Sequence, residues 1–395
     1  MNIQRVKFKD IEQVPHIKIN KSFKEDFFGS APVPFIGRYG YPHVNIGILS
    51  PQFSGDVQEY ASPKKWSAEQ YSIGNIASLR YGLVNSRMKS QVKKLSGKFL
   101  EMVQEVGMAK KSAEVEINFK KKPSLNVKPE KEIMPFGPAA SIKKARITTN
   151  TKIDRKVDYV VSDTSLKAAP AIMQLYNKGL EEIQLNKLLS VGSIGIGKNR
   201  KLVPTRWSIT AVDDTVGKDL IKEVKQYPSS DYQLHFGGGW GNYYLALFFP
   251  DIWSYELFET YLYLDSNPWS KRGYKYSTDY ENYQGRKNYA DETAGGYYAA
   301  RLGVLEQLKK KRRQQSVLVL RFITSEYNIP LGVWTCREAC RKSMNEKPLT
   351  FASEELMVHY AKELILRRYN FDIGLLLKKS ILLREKKKQS KLFDF

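Results

Sequence analysis

Residues 231–264 read DYQLHFGGGWGNYYLALFFPDIWSYELFETYLYL. Three runs in this stretch, Asp231 to Phe236, Asn242 to Pro250 and Trp253 to Leu264, alternate or continue in aromatic and branched residues, as strands do. Just upstream, Thr205 to Val212 (TRWSITAV) has the same character and is expected to be a strand. Downstream, Thr293 to Gln314 reads as a helix with a basic end made of Lys309, Lys310, Lys311, Arg312 and Arg313, whose charges suit a helix C-terminus. Ser316 to Thr324 (SVLVLRFIT) reads as a buried strand, and 352–388 is mostly helical in pattern. Strands and helices do not alternate regularly, which favours an α+β fold over a doubly wound parallel sheet. The expected architecture is a mixed, mainly antiparallel central sheet flanked by helices, with a helical C-terminal region and a flexible tail.

Toward the amino terminus, Pro170 to Ser190 shows apolar spacing of three and four behind a helix-starting proline, and reads as one amphipathic helix. Pro32 to Pro51 (PVPFIGRYGYPHVNIGILSP) reads as a strand bounded by structured turns. Ser86 to Lys111 places Met88, Val92, Leu95, Leu100 and Val103 at near-helical spacing behind Ser86 as N-cap, which predicts a helix. Residues 108–135 mix Lys, Glu and Pro around one short strand-like island, the composition of a protruding or mobile insertion. The expected divisions are 1–165 as an N-terminal α/β region, 166–350 as a mixed core, 351–388 as C-terminal helices and 389–395 as a peptide of its own.

Sixty-four Lys and Arg against 41 Asp and Glu leave a net charge of +23 and a pI of about 9.6, which favours a polyanionic partner. Cys336 and Cys340 lie four apart with no second pair to complete a thiolate zinc site, so buried thiols in a reducing, cytoplasmic interior are expected. The sequence shows neither an apolar signal segment nor a run long enough to span a membrane. Four histidines and two cysteines assemble no catalytic triad and no metal cluster, and they identify no cofactor. Abundant Lys, Ile, Tyr and Glu match the usage of heat-adapted proteins.

Several motifs carry chemistry. Gly192 to Asn199 (GSIGIGKN) fits G-x-x-x-x-G-K without the following hydroxyl, but a helix precedes it and Pro204 follows, so a nucleotide loop is rejected. Lys198, Arg200, Lys201 and Arg206 beside it suit a phosphate backbone. Arg38 and Arg286 sit among tyrosines, a setting for phosphate contact or base stacking, and Tyr39, His235 and Trp240 are candidate stacking surfaces. Asp213 and Asp214, at the end of the expected strand TRWSITAV, are candidate catalytic or metal-binding carboxylates, with capping of the next helix as the default. Asp291 and Glu292 precede a helix opened by Gly295 and Gly296, where a carboxylate caps the helix or acts in acid/base chemistry.

The last seven residues, QSKLFDF, follow the pattern Q-x-x-h-x-x-a behind the basic stretch Arg384 to Lys388. Such a peptide fits a DNA sliding clamp: Leu392 and the aromatics Phe393 and Phe395 suit an apolar groove, and Gln389 suits a polar pocket. The segments GRYGYPHVNIGILSP (37–51) and KLVPTRWSITAVDD (201–214), with this tail, resemble the archaeal Nre family over nearly the full chain. The resemblance implies a cytosolic archaeal protein acting in DNA damage repair and binding PCNA through its C-terminus. Some members carry an N-terminal zinc-finger pattern, which this chain lacks. Three roles follow: a clamp-recruited DNA-binding repair factor; an enzyme on DNA or nucleotide; or a scaffold for other repair proteins. The enzyme is either a metal-dependent nuclease using Asp213, Asp214 and Glu292, or an NAD-dependent ADP-ribosyltransferase-like enzyme using Arg38 and Glu292.

Overall fold

The structure, a computed structural model, describes residues 3–11, 22–124, 133–262 and 273–390. Two compact units are present: His16–Val216 with Pro330–Gly332, here the amino-terminal unit, and Met1–Pro15, Gly217–Ile329 and Val333–Phe395, the carboxy-terminal unit. The first strand, β1 (Ile3–Arg5), belongs to the carboxy-terminal unit.

The amino-terminal unit is built on β2 (Asp26–Ala31), β3 (Val33–Ile36), β4 (His43–Ser50), β5 (Val84–Gln91), β6 (Ala113–Phe119) and β7 (Ala139–Ile147). They form a six-stranded sheet in the order β2-β6-β7-β5-β4-β3, antiparallel except for β5 with β7. Helices α1 (Pro63–Ala68), α2 (Ile73–Tyr81), α3 (Lys98–Met108), α4 (Arg155–Ser162), α5 (Ala168–Asn177) and α6 (Glu182–Ser190) accompany the sheet. Val44, Ile46 and Ile48 of β4 and Val115 and Ile117 of β6 pack with Leu100, Val103 and Val106 of α3 in one buried core. Helix α7 (Thr205–Val224) then crosses the chain boundary between the units.

The carboxy-terminal unit holds β8 (Tyr232–Gly239), β9 (Asn242–Phe249), β10 (Ser254–Tyr261), β11 (Tyr274–Glu281), β12 (Ser316–Ile323) and β13 (Leu349–Phe351). With β1 they make a seven-stranded sheet, β1-β11-β10-β12-β9-β8-β13, in which only β1/β11 and β10/β12 run parallel. Helices α8 (Gly295–Lys311) and α9 (Trp334–Asn345) cover one face; α10 (Glu354–Tyr369) and α12 (Ile381–Ser390), joined through α11 (Gly374–Leu377), cover the other. Strand β12 is buried at every position because both its faces are covered, which explains its almost continuous apolar composition, broken within the strand by the buried Arg321. The α+β class, the antiparallel bias and the helical C-terminal region stand as expected from the sequence. Cys336 and Cys340 are buried on α9, and burial pushes both thiols up.

Four local expectations are corrected. Thr205 to Val212 is helix, not strand: Ser208, Val212, Val216, Leu220 and Val224 are buried at a spacing of four, a helical face hidden behind β-branched composition. Ser86 caps no helix; it lies buried in β5, whose pairing with β4 overrides the apparent helical spacing, and the helix starts only at Lys98. Pro170 to Ser190 is two helices, α5 and α6, parted at Gly179 (φ 88°), with Glu181 and Gln184 forming a capping box for α6. The strand-like island of 108–135 is β6, an inner strand with alternating burial, so residues 113–119 are core and not insertion; residues 125–132 lie outside those described. Among the described residues no helix is long and apolar enough to cross a membrane.

Candidate nucleic-acid interface

In the amino-terminal unit, three segments far apart in sequence meet at one surface. The hairpin between β3 and β4 turns at residues 37–42, where Gly40 has φ 82° and an added Cβ would lie 2.8 Å from the His43 carbonyl. Inside the turn, His43 N donates to Gly40 O at 2.8 Å and Gly37 N to Asn45 O at 2.8 Å. The end of β5 joins it: Val92 N donates to Pro42 O at 2.9 Å, and Leu202 N donates to Val92 O at 2.8 Å. The opening of α7 completes the set, since Ile36 N donates to Thr205 Oγ1 at 2.9 Å and the Tyr41 and Trp207 rings stand 5.1 Å apart.

This surface is aromatic and cationic. Tyr39, Tyr41 and Trp207 are exposed by 65%, 45% and 44%, well beyond what a packing role requires. The Arg38 guanidinium lies 4.5 Å over the Tyr39 ring and donates to its hydroxyl at 2.9 Å. Beside the turn runs a groove of about 550 Å³ lined by His43, Met88, Lys89, Lys94 and Lys98, with no acidic residue in its lining. Lys201 is exposed on the segment bonded to Val92, and Arg206 precedes Trp207 in α7. Ring faces at the turn suit stacking, and ammonium groups along the groove suit phosphates.

Of the residues singled out in the sequence, Arg38 and Tyr39 lie on this turn, and Lys201 and Arg206 lie on the segment that joins it through Leu202, Thr205 and Trp207. Tyr41, His43, Lys89, Lys94, Lys98 and Trp207 were missed. Tyr41 carried a signal in its GYP context, and Trp207 was concealed by the strand reading. Lys198 is exposed in the turn Gly197–Asn199. Arg200 faces inward, donating to the carbonyls of Gly195 and Val161 at 2.8 Å each and of Asp163 at 3.3 Å. Helix α6 ends at Ser190, with Val191 as its C-cap before Gly192, so a helix rather than a strand precedes this segment, which is the ground on which a nucleotide loop is rejected.

Asp213 is buried and Asp214 half-buried in mid-α7, so neither ends a strand nor caps a helix. Glu292 belongs to the other unit, where its carboxylate accepts from Arg5 Nε at 2.9 Å and Nη2 at 3.0 Å. The turn before α8 is capped by neither Asp291 nor Glu292. Asp279 of β11 does this, its Oδ2 accepting from Glu292 N (3.1 Å), Thr293 N (2.8 Å) and Thr293 Oγ1 (2.8 Å). Arg286 pairs with Asp279 at 3.0 Å and donates to the carbonyls of Tyr280, Asn288 and Tyr289, so it braces this loop. Among the described residues no group of three or more His, Cys, Asp or Glu is placed to hold a metal ion.

His235 is buried in β8 with Nε2 3.0 Å from Lys311 Nζ; burial, then the Lys311 charge, pushes its pKa down to about 4, leaving a neutral acceptor. Trp240 sits at the β8–β9 turn with φ 53°, followed by Gly241 at 66°, the positive pair that a two-residue hairpin favours. Its ring carries Lys342 Nζ at 4.0 Å and meets Trp334 edge-on at 5.2 Å. Gln389 falls in α12, whereas Leu392, Phe393 and Phe395 lie outside the described residues. Helix α12 itself is fastened to the sheet: the buried Glu256 carboxylate of β10 accepts from Ser380 Oγ (2.5 Å), Ile381 N (3.0 Å), Leu382 N (3.0 Å) and Thr278 Oγ1 (3.4 Å).

Residues 7–270 match the family described as archaeal Nre, N-terminal, and residues 281–395 match archaeal Nre, C-terminal. The chain is 35% identical to DNA repair protein NreB of Archaeoglobus fulgidus over 97% of its own length and 95% of that protein's. It is 36% identical to DNA repair protein NreA of Haloferax volcanii, covering 79% of this chain and 76% of the relative. It is also 36% identical to DNA repair protein NreA of Archaeoglobus fulgidus, covering 82% and 81%. No solved structure matches the chain. The chain belongs to the archaeal Nre family.

Proposed function

We propose that this chain is a cytoplasmic DNA repair protein, recruited to the PCNA sliding clamp through residues 389–395, that contacts DNA through the aromatic and cationic face of its amino-terminal unit. The repair role draws on the names of its relatives and on a net charge of +23. The observation that carries the DNA contact is the meeting of residues 37–43, 88–98 and 201–207 at one surface, with lysines along a groove that His43 also lines and exposed rings on the adjoining turn and helix start. For the clamp, support comes from the Q-x-x-L-x-x-F spacing, which begins at Gln389 in the last turn of α12, a helix whose start Glu256 holds.

Calorimetry with PCNA and with DNA tests both halves on one pair of proteins. Deleting 389–395 should abolish the heat of clamp binding and leave DNA binding intact. A truncated chain that binds the clamp as tightly as the full chain overturns the recruitment reading.

A further inference from the structure

We propose that the face around Tyr41 and Trp207 receives unstacked bases, so that the DNA it takes is single-stranded or locally unpaired. This deepens the DNA-binding reading above and rests on it. Inside a duplex the base faces are covered by neighbouring bases, so exposed rings gain nothing from it, whereas a single strand offers a π-face at every nucleotide. Tyr41 and Trp207 are tilted by 54° at 5.1 Å, an arrangement in which neither ring fully covers the other's face. Both are exposed, as is Tyr39 with Arg38 over its ring.

These rings are held ready rather than left to chance. The turn that bears Tyr39 and Tyr41 is closed by the His43 to Gly40 and Gly37 to Asn45 hydrogen bonds, and Trp207 stands in the first turn of a 20-residue helix whose Thr205 hydroxyl accepts from Ile36 N. Preorganised rings lose little freedom when a base stacks on them. The groove beside them supplies the complementary charge: Lys89, Lys94 and Lys98 line it without a carboxylate, so a phosphate backbone can run along it while bases reach the turn. An apolar peptide would use the rings but leave these three ammonium groups unmatched.

The test is anisotropy of a labelled oligonucleotide, single-stranded and as the duplex of the same sequence, against the full chain and four variants. Tyr41→Ala and Trp207→Ala should each weaken single-strand binding by about 5- to 150-fold and change duplex binding less than about twofold. Trp207→Phe should recover most of the loss. The triple variant Lys89→Ala, Lys94→Ala, Lys98→Ala should weaken both forms and flatten the salt dependence of both. If the lysine variant weakens binding while the aromatic variants leave it unchanged, or weaken both forms equally, the base-stacking proposal fails alone. If the lysine variant also binds like the parent chain, the DNA-binding reading of this face fails with it.

Discussion

Replacing Glu256 with alanine should release α12, the helix that leads to residues 389–395, from the carboxy-terminal sheet. In the folded chain the Glu256 carboxylate accepts from Ile381 N and Leu382 N at 3.0 Å, in the first turn of that helix, and from Ser380 Oγ at 2.5 Å, immediately before it. Ser380 and Leu382 are buried, so water does not replace the lost acceptor without opening the turn. A hydrogen bond to a charged group contributes about 1.5–3 kcal/mol, and the cost of burying the carboxylate, visible in its raised pKa, offsets part of three such bonds. A net loss of about 3 kcal/mol remains, which multiplies the opening equilibrium of α12 by about 150. Hydrogen exchange reads this directly: amides of 383–388 should exchange about a hundredfold faster in Glu256→Ala, with those of β12 unchanged. Equal exchange in α12, or acceleration spread evenly over the sheet, would refute the anchoring role.

Other consequences follow from buried charge. Arg321 pairs with Glu259 and donates to Asn242 Oδ1 at 3.0 and 2.5 Å, all within the sheet's α8 side, so Arg321→Met should cost about 3–5 kcal/mol in urea denaturation by stranding a buried carboxylate. Glu259→Leu added to Arg321→Met should restore at least half of that loss, and a double variant no more stable than the single one contradicts the pairing argument. His235, held down to about 4 in the folded chain against about 6.5 when unfolded, takes up a proton on unfolding between those values. Its contribution is therefore whole above about pH 6.5 and is lost as pH falls toward 4, up to about 3 kcal/mol. His235→Gln should flatten the stability profile across that window, as measured by urea titration at several pH values; an unchanged slope assigns the acid sensitivity elsewhere.

The legible parts of the fold were those where composition and burial agree. SVLVLRFIT was readable because β12 is covered on both faces, and Asn242 to Pro250 because β9 lies beside it in the middle of the same sheet. TRWSITAV was not, because its Trp, Ile, Thr and Val suit a strand while its burial follows Ser208, Val212 and Val216, a helical repeat. Met88, Val92 and Leu95 looked helical, yet Met88 is exposed beside the groove, so the apparent stripe was never one buried face. For the candidate interface, residue type was visible at Arg38, Tyr39, Lys201 and Arg206. Their meeting was not, because it depends on Val92 bonding to Pro42 on one side and to Leu202 on the other. Such contacts join segments distant in sequence, and no local periodicity encodes them.

Hydrogen-exchange footprinting of the full chain on a labelled single-stranded oligonucleotide tests the central claim most directly, since it maps the contact without altering any residue. The account predicts slowed exchange at residues 37–43, 88–98 and 201–207, fading as salt is raised, with α12 unaffected. Protection confined to the carboxy-terminal unit, with these three segments exchanging as in the free protein, would contradict it.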